Sequence, residues 1–311
     1  MNRYLVTGGA GFIGSHIARR LLAKGDEVVI LDDFSTGREE NIRDLEGQVS
    51  VVRGDVRDEA TVESCAERCD AVFHLAAFIS VPASIEKPRL CEEINVSGTL
   101  NVLEAARKKG VARVVFSSSA AVYGDRPGLP KKESDEPDPL SPYAVSKLTG
   151  EYYMRMYARL HGLGTVALRY FNVFGPRQDP KSQYAPVIPC FASSIIRGRA
   201  PVIFGDGTQT RDFVYVDDVV QANLLAAATP GLKGDSMNIG LGQETSILDL
   251  ALTLARVLGA SLKPRHDAPR PGDIHRSVAD ISNARKLLGF SPGTSIPDGL
   301  ARTAEWFKTA G

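Results

Sequence analysis

Short apolar runs alternate with amphipathic stretches along the first half of the chain. The run YLVTG leads into SHIARRLLAKG, in which apolar positions recur at helical spacing before Gly25. The runs EVVIL, VSVV, AVFHLAA, ARVVFSS and GTVALRYF continue the series, with helical patterns at 90–109 and 143–161 among them. Strands that alternate with helices predict βαβ units, and near-continuous apolar strands are typical of a parallel sheet covered on both faces. We therefore expect an α/β fold with a doubly wound parallel sheet.

The pattern changes after residue 171. The segment NVFGPRQDPKSQYAP is rich in Pro, Gly and Asn and predicts irregular structure. Beyond it the sequence predicts a helix around VIPCFASSIIRG, a short strand PVIF, and C-terminal helices in SILDLALTLARVLG and ISNARKLLG. We predict a first domain at 1–171, to which segments near 212–220 and 236–240 return. A smaller, discontinuous mixed α/β domain is predicted over most of 172–311.

Composition argues against several classes of function. The 311 residues include 37 basic and 37 acidic side chains, so the formal charge is zero and nothing favours nucleic acid or an anionic membrane as a partner. No run of apolar residues is long enough to predict a transmembrane helix, and the predicted first strand begins too early to leave room for a signal peptide. The cysteines, Cys65, Cys69, Cys91 and Cys190, match no zinc-site spacing and indicate a reducing compartment. We predict no metal site and a cytoplasmic location.

A glycine-rich turn, TGGAGFIGS, joins the first predicted strand to the first helix. Gly8, Gly11 and Gly14 follow one another at intervals of three residues. This spacing allows a tight turn, a close approach of backbone N–H groups to a pyrophosphate, and close packing of helix on strand. The strand–turn–helix context is the one in which such a pattern predicts a Rossmann-type dinucleotide site. Phe12 and Ile13 are included in this predicted site.

The second predicted strand ends in LDD, where a dinucleotide site needs an acid. An acid there accepts hydrogen bonds from the adenine ribose and repels a 2′-phosphate, so Asp32, or Asp33 as the alternative, favours NAD over NADP. Arg38 in the next loop could instead accommodate a phosphate. Asp55 and Val56 in GDVRD are predicted to contact the adenine, with simple capping as the alternative for that turn. The other predicted cofactor contacts are Ser35, Thr36, Gly37, Leu75, Ala76, Ala77, Asn95, Ser117, Tyr143, Lys147 and Tyr170.

Tyr143 and Lys147 in YAVSK lie four residues apart, on one face of a predicted helix. A phenol has a reference pKa near 10, and a nearby ammonium favours the phenolate and lowers that pKa. The positive nicotinamide of NAD would add to this effect. A Tyr-x-x-x-Lys pair occurs often by chance. Behind a dinucleotide turn and the strand-end serine cluster SSSAAVYG, it indicates proton-transfer chemistry.

Several segments carry a resemblance to a known family. TGGAGFIGSH, GDVRD, HLAA, INVSGTLNVLEAA, SSSAAVYG, SPYAVSK, LRYFNVFGPRQDP, RDFVYVDD and RPGDIHRSVAD occur in that order along the chain. Together they resemble the extended short-chain dehydrogenase/reductase family, and most closely its NAD-dependent UDP-hexose 4-epimerases. The resemblance implies that Ser119 holds the substrate oxygen and Tyr143 is the acid and base. Lys147 would bind the nicotinamide ribose and tune Tyr143, and Ser117 and Ser118 would line the nicotinamide or the sugar.

The segment around Ser119 also helps to distinguish 4-epimerases from the sugar 4,6-dehydratases of the same family. Sugar 4,6-dehydratases typically carry carboxylates here, which remove water across C5 and C6. Residues 118–121 contain none, so this resemblance favours an epimerase. In such an enzyme NAD oxidises C4 of the hexose reversibly, and the 4-ketosugar turns over before it is reduced on its other face.

A hexose that must turn needs its nucleotide diphosphate anchored by fixed cationic and amide groups. The resemblance implies that Asn172, Arg211 and Arg270 contact the diphosphate and that Asp273 contacts the uridine ribose. A solvated surface position is the alternative for each arginine. The other predicted substrate contacts are Ser80, Ser118, Ser119, Val187, Val202, Phe204 and Ser277.

Ser277 bears on the choice of sugar. Family members restricted to glucose and galactose commonly carry a tyrosine at the matching place, and a serine leaves room on the scale of an N-acetyl group. We therefore expect UDP-GlcNAc and UDP-GalNAc to be accepted as well as UDP-Glc and UDP-Gal. A UDP-glucuronate 4-epimerase or decarboxylase is the alternative, and a non-catalytic NAD-binding sensor is the alternative from another class.

The two long helical patterns bear on assembly. In the family, the helices that match 90–109 and 143–161 form a four-helix contact between two subunits. The resemblance therefore implies a homodimer. A monomer that buries the apolar faces of these helices internally is the alternative.

Overall fold

The structure, a computed structural model, describes residues 1–179, 186–261, 263–269 and 274–309. Its strands are β1 (Arg3–Thr7), β2 (Glu27–Asp32), β3 (Ser50–Arg53), β4 (Ala71–His74), β5 (Arg113–Ser119), β6 (Gly164–Tyr170), β7 (Asn172–Phe174), β8 (Val202–Phe204), β9 (Thr210–Arg211), β10 (Phe213–Tyr215), β11 (Lys233–Ile239), β12 (Thr245–Ser246) and β13 (Arg265–Asp267).

Most helices of the described residues either cover the main sheet or pack together in the second half of the chain. The helices are α1 (Phe12–Leu22), α2 (Glu59–Cys65), α3 (Val81–Glu86), α4 (Pro88–Glu92), α5 (Gly98–Lys109), α6 (Pro142–His161), α7 (Val187–Ile196), α8 (Val216–Ala228), α9 (Ile247–Val257), α10 (Ser282–Leu288) and α11 (Ile296–Thr309). A π-helical turn, Glu93–Ser97, joins α4 to α5. Short 3₁₀ turns occur at Glu39–Asn41, Arg43–Leu45 and Ala120–Tyr123.

The main sheet is parallel and has the order β11-β6-β5-β4-β1-β2-β3, seven strands in the part of the chain that the structure describes. The direction of winding reverses between β1 and β4. In open α/β sheets, ligands bind in the crevice outside the carboxyl ends of the strands at such a switch point. The predicted fold class, a Rossmann-type doubly wound sheet with further mixed α/β structure, is confirmed.

Both faces of the sheet are covered, which explains why its strands are apolar almost throughout. One face carries α1 and α8, whose Ile17 and Val219 belong to one buried cluster. The other carries α2, α5 and α6, whose Val62, Leu103 and Met154 belong to a second. Two-sided burial of this kind is what continuous apolar runs predict.

The second half of the chain crosses back to the sheet and then leaves it. β11 joins the sheet edge beside β6, and α8 packs on α1. The division into two domains at residue 171 stays a prediction. Within the segment near 212–220, however, β10 pairs with β7 rather than with the main sheet, because β7 directly follows β6 and offers the nearer edge. A third cluster, built by α7, α9 and α11, forms the core of the second half.

Helix α6 begins and ends where its sequence signals predict. The Ser141 hydroxyl accepts a hydrogen bond from the N–H of Ala144 at 3.2 Å, and Pro142 occupies the first turn. Gly162 ends the helix in a left-handed conformation with φ +68°. The predicted helix at 90–109 is instead interrupted, since the π-helical turn directs Asn95 toward the site described below.

Candidate active site

The glycine turn between β1 and α1 is packed so tightly that two of its positions exclude any side chain. Gly8 has φ +69°, and a Cβ there would lie 2.7 Å from the backbone nitrogen of Ala76. A Cβ on Gly14 would lie 2.2 Å from the carbonyl oxygen of Gly8. These contacts bring α1 close to β1 and to the end of β4, as the glycine spacing predicts.

The outer surface of the same turn has the properties of a phosphate cradle. A Cβ on Gly11 would meet only the Gly8 carbonyl oxygen, at 3.1 Å, so it would fill the space over the turn rather than the protein interior. Gly11 also caps α1 without a side-chain acceptor, and the first turn of α1 contains no acidic residue. The N–H groups and positive end of the helix dipole are thus left for an anion. This part of the chain therefore fits the pyrophosphate of a dinucleotide.

The two predicted ribose acids lie in different surroundings. Asp32 is buried at the end of β2, where its carboxylate accepts hydrogen bonds from the N–H groups of Ala10 and Phe34, each at 2.9 Å. Burial raises the pKa of Asp32, which these two hydrogen bonds partly offset. Asp33 is exposed and accepts hydrogen bonds from the backbone N–H and the hydroxyl of Ser35. Asp32 is thus the acid that touches the glycine turn.

The predicted adenine-side contacts lie along the next strand ends. Asp55 follows β3 and pairs with Arg57, while Asp58 and not Asp55 caps α2. Val56 is buried beneath α5. Ser35 and Thr36 are exposed and Gly37 packs on the Asp32 carboxylate. The turn at 55–56 is therefore not explained by capping alone.

Arg38 follows this loop and reaches the second half of the chain. Its Nη2 lies 2.6 Å from Oδ2 of Asp179. An arginine engaged in this way has less of its charge available for a 2′-phosphate. The pair therefore supports NAD rather than NADP.

Ser119, Tyr143 and Lys147 come together at the carboxyl end of β5. Ser119 is the last residue of β5, and Tyr143 and Lys147 lie one turn apart at the start of α6. The Tyr143 phenol lies close enough to the Ser119 side chain for Ser119 to lower its pKa. Lys147 Nζ lies 5.8 Å from the centroid of the Tyr143 ring and donates to the carbonyl oxygen of Ser117 at 2.8 Å. The predicted catalytic residues thus form one cluster beside the glycine turn.

Burial has the largest influence on the pKa of Tyr143, and its lowering by Lys147 and a bound nicotinamide stays a prediction. Burial raises the pKa of Tyr143, and the hydrogen bond with Ser119 offsets part of that rise. Burial also lowers the pKa of Lys147 to about 8, because its ammonium lies in the apolar interior beside Phe116. Desolvation outweighs the charge of Lys147 here. The sequence predicts that the positive charge of a bound nicotinamide also lowers the pKa of Tyr143.

The serines that precede Ser119 alternate between the two faces of β5. The Ser118 hydroxyl is buried and donates to Glu151 at 2.5 Å, so this geometry does not support its predicted contact with the sugar. Ser117 lies on the same face as Ser119 and interacts through its side chain with Tyr170. Burial raises the pKa of Tyr170, whose hydroxyl donates to Asn223 at 2.9 Å.

The start of α6 is held by side chains that sequence reasoning did not assign. Tyr143 N–H donates to the Ser84 hydroxyl at 3.2 Å. Asn95 is buried, accepts from Phe78 N–H at 2.6 Å and donates to the Ser146 hydroxyl at 2.8 Å. Asn95 was predicted to contact the cofactor, and its visible contacts tie the loop after β4 to α6.

The buried His74 extends this series of hydrogen bonds from Asn95 toward the glycine turn. Thr99 donates to the Asn95 carbonyl and therefore accepts from His74 Nε2, at 2.9 Å. His74 Nδ1 accepts from the Thr7 hydroxyl at 2.8 Å, which in turn accepts from the N–H of Ala76 at 3.2 Å. Leu75 and Ala77, the other predicted cofactor contacts here, are half-buried in the same loop. Thr7 and His74 end the adjacent strands β1 and β4, and this adjacency is the signal that could have linked them.

The predicted diphosphate contacts in the second half stand on paired short strands. Asn172 is in β7, and its side-chain amide donates to the carbonyl oxygen of Asp212 at 3.2 Å. Arg211 is in β9 and donates through Nη1 to the Thr210 carbonyl at 2.8 Å. The buried Asp212 carboxylate accepts from the N–H groups of Leu241, Gly242 and Ala279, and burial raises its pKa to about 6. Asp212 thereby fixes the chain beside Arg211.

The remaining predicted substrate residues occupy separate places in the second half. Val202 and Phe204 alternate with the buried Ile203 along β8 and so face away from the core, and Val187 begins α7. Ser277 is half-buried next to Arg276, which bridges to β9. Ser80 caps α3 by accepting from Ala83 N–H. Arg270 and Asp273 lie outside the described residues.

Other predicted features concern thiols, metals and membranes. The four cysteines are reduced thiols, of which Cys65, Cys69 and Cys91 are buried and Cys190 is exposed. Among residues 1–179, 186–261, 263–269 and 274–309, no group of three or more His, Cys, Asp or Glu side chains is arranged to hold a metal ion. No helix in those same ranges combines the length and the apolar character needed to span a membrane. The cytoplasmic location stays a prediction.

Known proteins resemble this chain along its whole length. The model of the family described as the NAD dependent epimerase/dehydratase family matches residues 4–240. A UDP-glucose 4-epimerase of Mycolicibacterium smegmatis is 43% identical over 310 residues, which cover 98% of this chain and 98% of the relative.

Two solved structures share both the sequence and the fold. The UDP-N-acetylglucosamine 4-epimerase of Methanobrevibacter ruminantium, in complex with UDP-N-acetylmuramic acid, is 40% identical with a TM-score of 0.96, over 100% of this chain and 99% of that one. The UDP-glucuronic acid 4-epimerase of Bacillus cereus, in complex with UDP-glucuronic acid and NAD, is 34% identical with a TM-score of 0.91, over 99% and 100%. With the glycine cradle and the Ser119–Tyr143–Lys147 cluster, these matches confirm the predicted extended short-chain dehydrogenase/reductase family and its cofactor: the chain belongs to the NAD-dependent epimerase/dehydratase family.

Proposed function

We propose that the protein is a UDP-hexose 4-epimerase that interconverts UDP-GlcNAc with UDP-GalNAc and UDP-Glc with UDP-Gal. The observation that carries the proposal is the convergence of Ser119, Tyr143 and the buried Lys147 at the carboxyl end of β5, next to a phosphate cradle. A phenol that shares a hydrogen bond with a serine can hold one substrate hydroxyl between them. The similar sequences and structures described above include UDP-sugar 4-epimerases.

The residues of the chain would bind, orient and move one proton. Tyr143 as phenolate takes the proton of the C4 hydroxyl, while Ser119 donates a hydrogen bond to the same oxygen. The glycine turn and Asp32 would hold NAD, which would supply the reversible hydride acceptor for C4 on either face of the sugar. Tyr143 then gives its proton back to the C4 oxygen, so no net oxidation occurs. Lys147, whose Nζ lies 5.8 Å from the centroid of the Tyr143 ring, would favour the phenolate and bind the nicotinamide ribose.

The second half would anchor the nucleotide while the hexose turns. Asn172 and Arg211 stand on the short strands β7 and β9, and Asp212 fixes both strands to neighbouring backbone. Such fixed donors suit a diphosphate, which accepts several charge-assisted hydrogen bonds. Arg270 is proposed to contact the diphosphate as well, and Asp273 the uridine ribose.

Ser277 supports the proposed acceptance of N-acetylated sugars. It lies beside Arg276, close in the chain to the predicted nucleotide contacts and next to the strand that carries Arg211. A serine at this position occupies much less space than a tyrosine. Rejection by a filled pocket typically changes rates by about 10- to 200-fold.

The experiment is a substrate panel with matched variants. Purified protein without added NAD is incubated with UDP-Glc, UDP-GlcNAc and UDP-glucuronate, and the products are separated by chromatography. The wild type is expected to interconvert the first two. Ser277→Tyr is expected to lose UDP-GlcNAc activity about 50-fold while UDP-Glc activity is retained, and Ser291→Tyr, at an exposed serine, serves as the control. Equal UDP-GlcNAc rates in the wild type and in Ser277→Tyr would refute the pocket-size proposal.

The alternatives give different outcomes in the same panel. Turnover of UDP-glucuronate alone would identify a glucuronate 4-epimerase, and release of carbon dioxide a decarboxylase. Tight NAD binding with no turnover of any of the three sugars would indicate a non-catalytic sensor. The cluster of Ser119, Tyr143 and Lys147 favours catalysis, because a sensor has no need of all three.

We also propose a homodimer formed through α5 and α6. Helix α6 exposes a row of large apolar side chains on the face away from the sheet: Val145, Tyr152, Met156 and Leu160, the last with 69% of its surface exposed. Burial of such a row is favourable and suits a second copy of the same helices. Leu160→Glu is expected to shift the mass measured by light scattering from dimer to monomer, whereas Leu252→Glu, at an exposed leucine of α9, should not. A wild type that is monomeric at all concentrations would overturn the proposal.

A further inference from the structure

One buried carboxylate on α6 is not used by the proposed chemistry. Tyr143, Lys147 and Glu151 recur at four-residue intervals, so all three lie on the same face of the helix. Glu151 is only 2% exposed. A carboxylate in the core beneath the reacting residues requires a physical explanation.

Glu151 forms a two-pronged ion pair with Arg169 of β6. Nε of Arg169 lies 2.9 Å from Oε1 and Nη2 lies 2.7 Å from Oε2. Each carboxylate oxygen also accepts a second hydrogen bond, from the hydroxyl of Ser118 at 2.5 Å and from that of Ser236 at 3.0 Å. Arg169 is itself only 3% exposed. The pair is therefore fully bonded and shielded from water.

The same ion pair forms hydrogen bonds with residues on both sides of Ser119 in the sequence. Ser118, the residue before it, donates to Glu151. Tyr123 ends the 3₁₀ turn that Ser119 caps, and its hydroxyl accepts from Arg169 Nη1 at 2.9 Å and donates to Asn238 at 2.6 Å. The turn that carries Ser119 is thus tied through one ion pair to the helix that carries Tyr143 and Lys147.

Stability alone does not explain this arrangement. Replacing a buried ion pair by apolar side chains of similar volume is often neutral or stabilising, because the pair must first lose its hydration. What a fully satisfied polar network provides is a single geometry. A displacement of about 1 Å between reacting groups can cost about 100-fold in rate.

We propose that Glu151 and Arg169 are positioning residues that set the distance between the Ser119 turn and the Tyr143–Lys147 helix. The inference rests on the proposed 4-epimerase function. It assigns a role in the reaction to two residues that touch neither the reacting atoms nor the cofactor site.

The main test removes both charges together, so that neither is left buried alone. Glu151→Leu with Arg169→Met preserves the volume of the pair. We expect this double variant to fold and to retain NAD and the wild-type KM for UDP-GlcNAc, while kcat falls tenfold or more. A folded double variant with wild-type kcat would overturn the inference.

Two serine variants decide the question even if the double variant fails to fold. Ser118→Ala and Ser236→Ala each remove one hydroxyl from the same carboxylate, but only Ser118 adjoins Ser119. We expect Ser118→Ala to lower kcat about fivefold with KM unchanged, and Ser236→Ala to leave kcat unchanged. Equal kcat values for the two variants would contradict the inference, and a change in KM alone for Ser118→Ala would indicate a sugar contact instead.

Wild-type activity separates this inference from the function on which it rests. A wild type that epimerises no UDP-sugar overturns the proposed function and the inference with it. An active wild type whose variants are unimpaired overturns the inference alone.

Discussion

The cofactor half and the sugar half of the site are held in place differently. Around the glycine turn the residues are fixed by close contacts with the backbone. Asp32 accepts hydrogen bonds from two backbone N–H groups, and the backbone around Gly14 leaves no room for a Cβ. In the second half the predicted contacts stand on β7, β8 and β9, short strands outside the main sheet, which are joined by side chains such as Asp212. A cofactor retained through each cycle suits the first arrangement, and a nucleotide that enters and leaves suits the second.

The contrast has a measurable consequence. Variants of the cofactor half should change the amount of NAD that copurifies, and variants of the sugar half should change KM. Variants of the Ser119–Tyr143–Lys147 cluster, which lies between the halves, should change kcat and neither of the other two quantities. The following substitutions test this division.

The largest effect is expected for Tyr143→Phe. The phenylalanine keeps the ring but removes the only proposed proton acceptor, so kcat should fall about 1000-fold, while NAD content and UDP binding stay unchanged. Tyr152→Phe on the exposed side of the same helix is the matched control. Retention of more than a tenth of the rate in Tyr143→Phe would assign the proton transfer to another group.

Arg211→Gln tests the sugar half. Loss of one charge-assisted hydrogen bond to the diphosphate should raise KM for UDP-GlcNAc about 30-fold, with kcat and NAD content near the wild type. Initial rates across substrate concentrations measure both parameters. Arg199→Gln, at an exposed arginine, is the control. If Arg211→Gln lost NAD instead of affinity for the UDP-sugar, the proposed separation of a cofactor half from a sugar half would be wrong.

Gly11→Ala tests the cofactor half. The added methyl group would occupy the cradle over the turn without meeting more than one protein atom, so the fold should survive while NAD affinity falls about tenfold. Absorbance of the released nucleotide gives the NAD content. Gly293→Ala, at an exposed glycine in the second half, should retain full NAD. Normal NAD content in Gly11→Ala would place the pyrophosphate elsewhere.

The smallest expected effect concerns acid stability. Burial lowers the pKa of His74 from 6.5 to about 3. Below pH 6.5 the unfolded chain binds a proton at this histidine and the folded protein does not, so the free energy of unfolding falls as the pH falls. This site should cost about 1 kcal/mol between pH 7 and 5.5.

Denaturant unfolding at both pH values measures that slope. The slope should flatten in His74→Gln, which cannot titrate, and should persist in His275→Gln, whose side chain is exposed. His16, whose pKa burial lowers to about 4, contributes in the same direction and remains in both variants. An unchanged slope in His74→Gln would show that this histidine does not govern acid stability.

The glycine turn and the helix that carries Tyr143 and Lys147 could be predicted from the sequence because their signals are local. The spacing of Gly8, Gly11 and Gly14 and that of Tyr143 and Lys147 each lie within one turn or one helix. The strand series predicted that their carboxyl ends share an edge, and the main sheet confirms it. The interruption of the helix at 90–109 was not predicted, because a π-helical turn leaves the apolar periodicity almost intact.

The residues that support the site were missed because their partners are distant in the chain. Glu151 and Arg169 are 18 residues apart, and nothing local in the sequence indicates that α6 and β6 bring their side chains together. The Asp212 carboxylate accepts hydrogen bonds from backbone N–H groups that lie about 30 and 67 residues away in the sequence. For the same reason the order of hydroxyls in SSSAAVYG did not reveal that the Ser118 hydroxyl donates to Glu151.

The most direct measurement follows the hydrogen at C4 during turnover. UDP-GlcNAc is incubated with the purified protein in deuterated water without added NAD, and the UDP-GalNAc formed is analysed by NMR. If the C4 hydrogen is removed and returned within the closed site, the product carries protium at C4. A parallel incubation contains UDP-Glc. Deuterium at C4, or failure to form both UDP-GalNAc from UDP-GlcNAc and UDP-Gal from UDP-Glc, would contradict 4-epimerisation through a tightly held NAD.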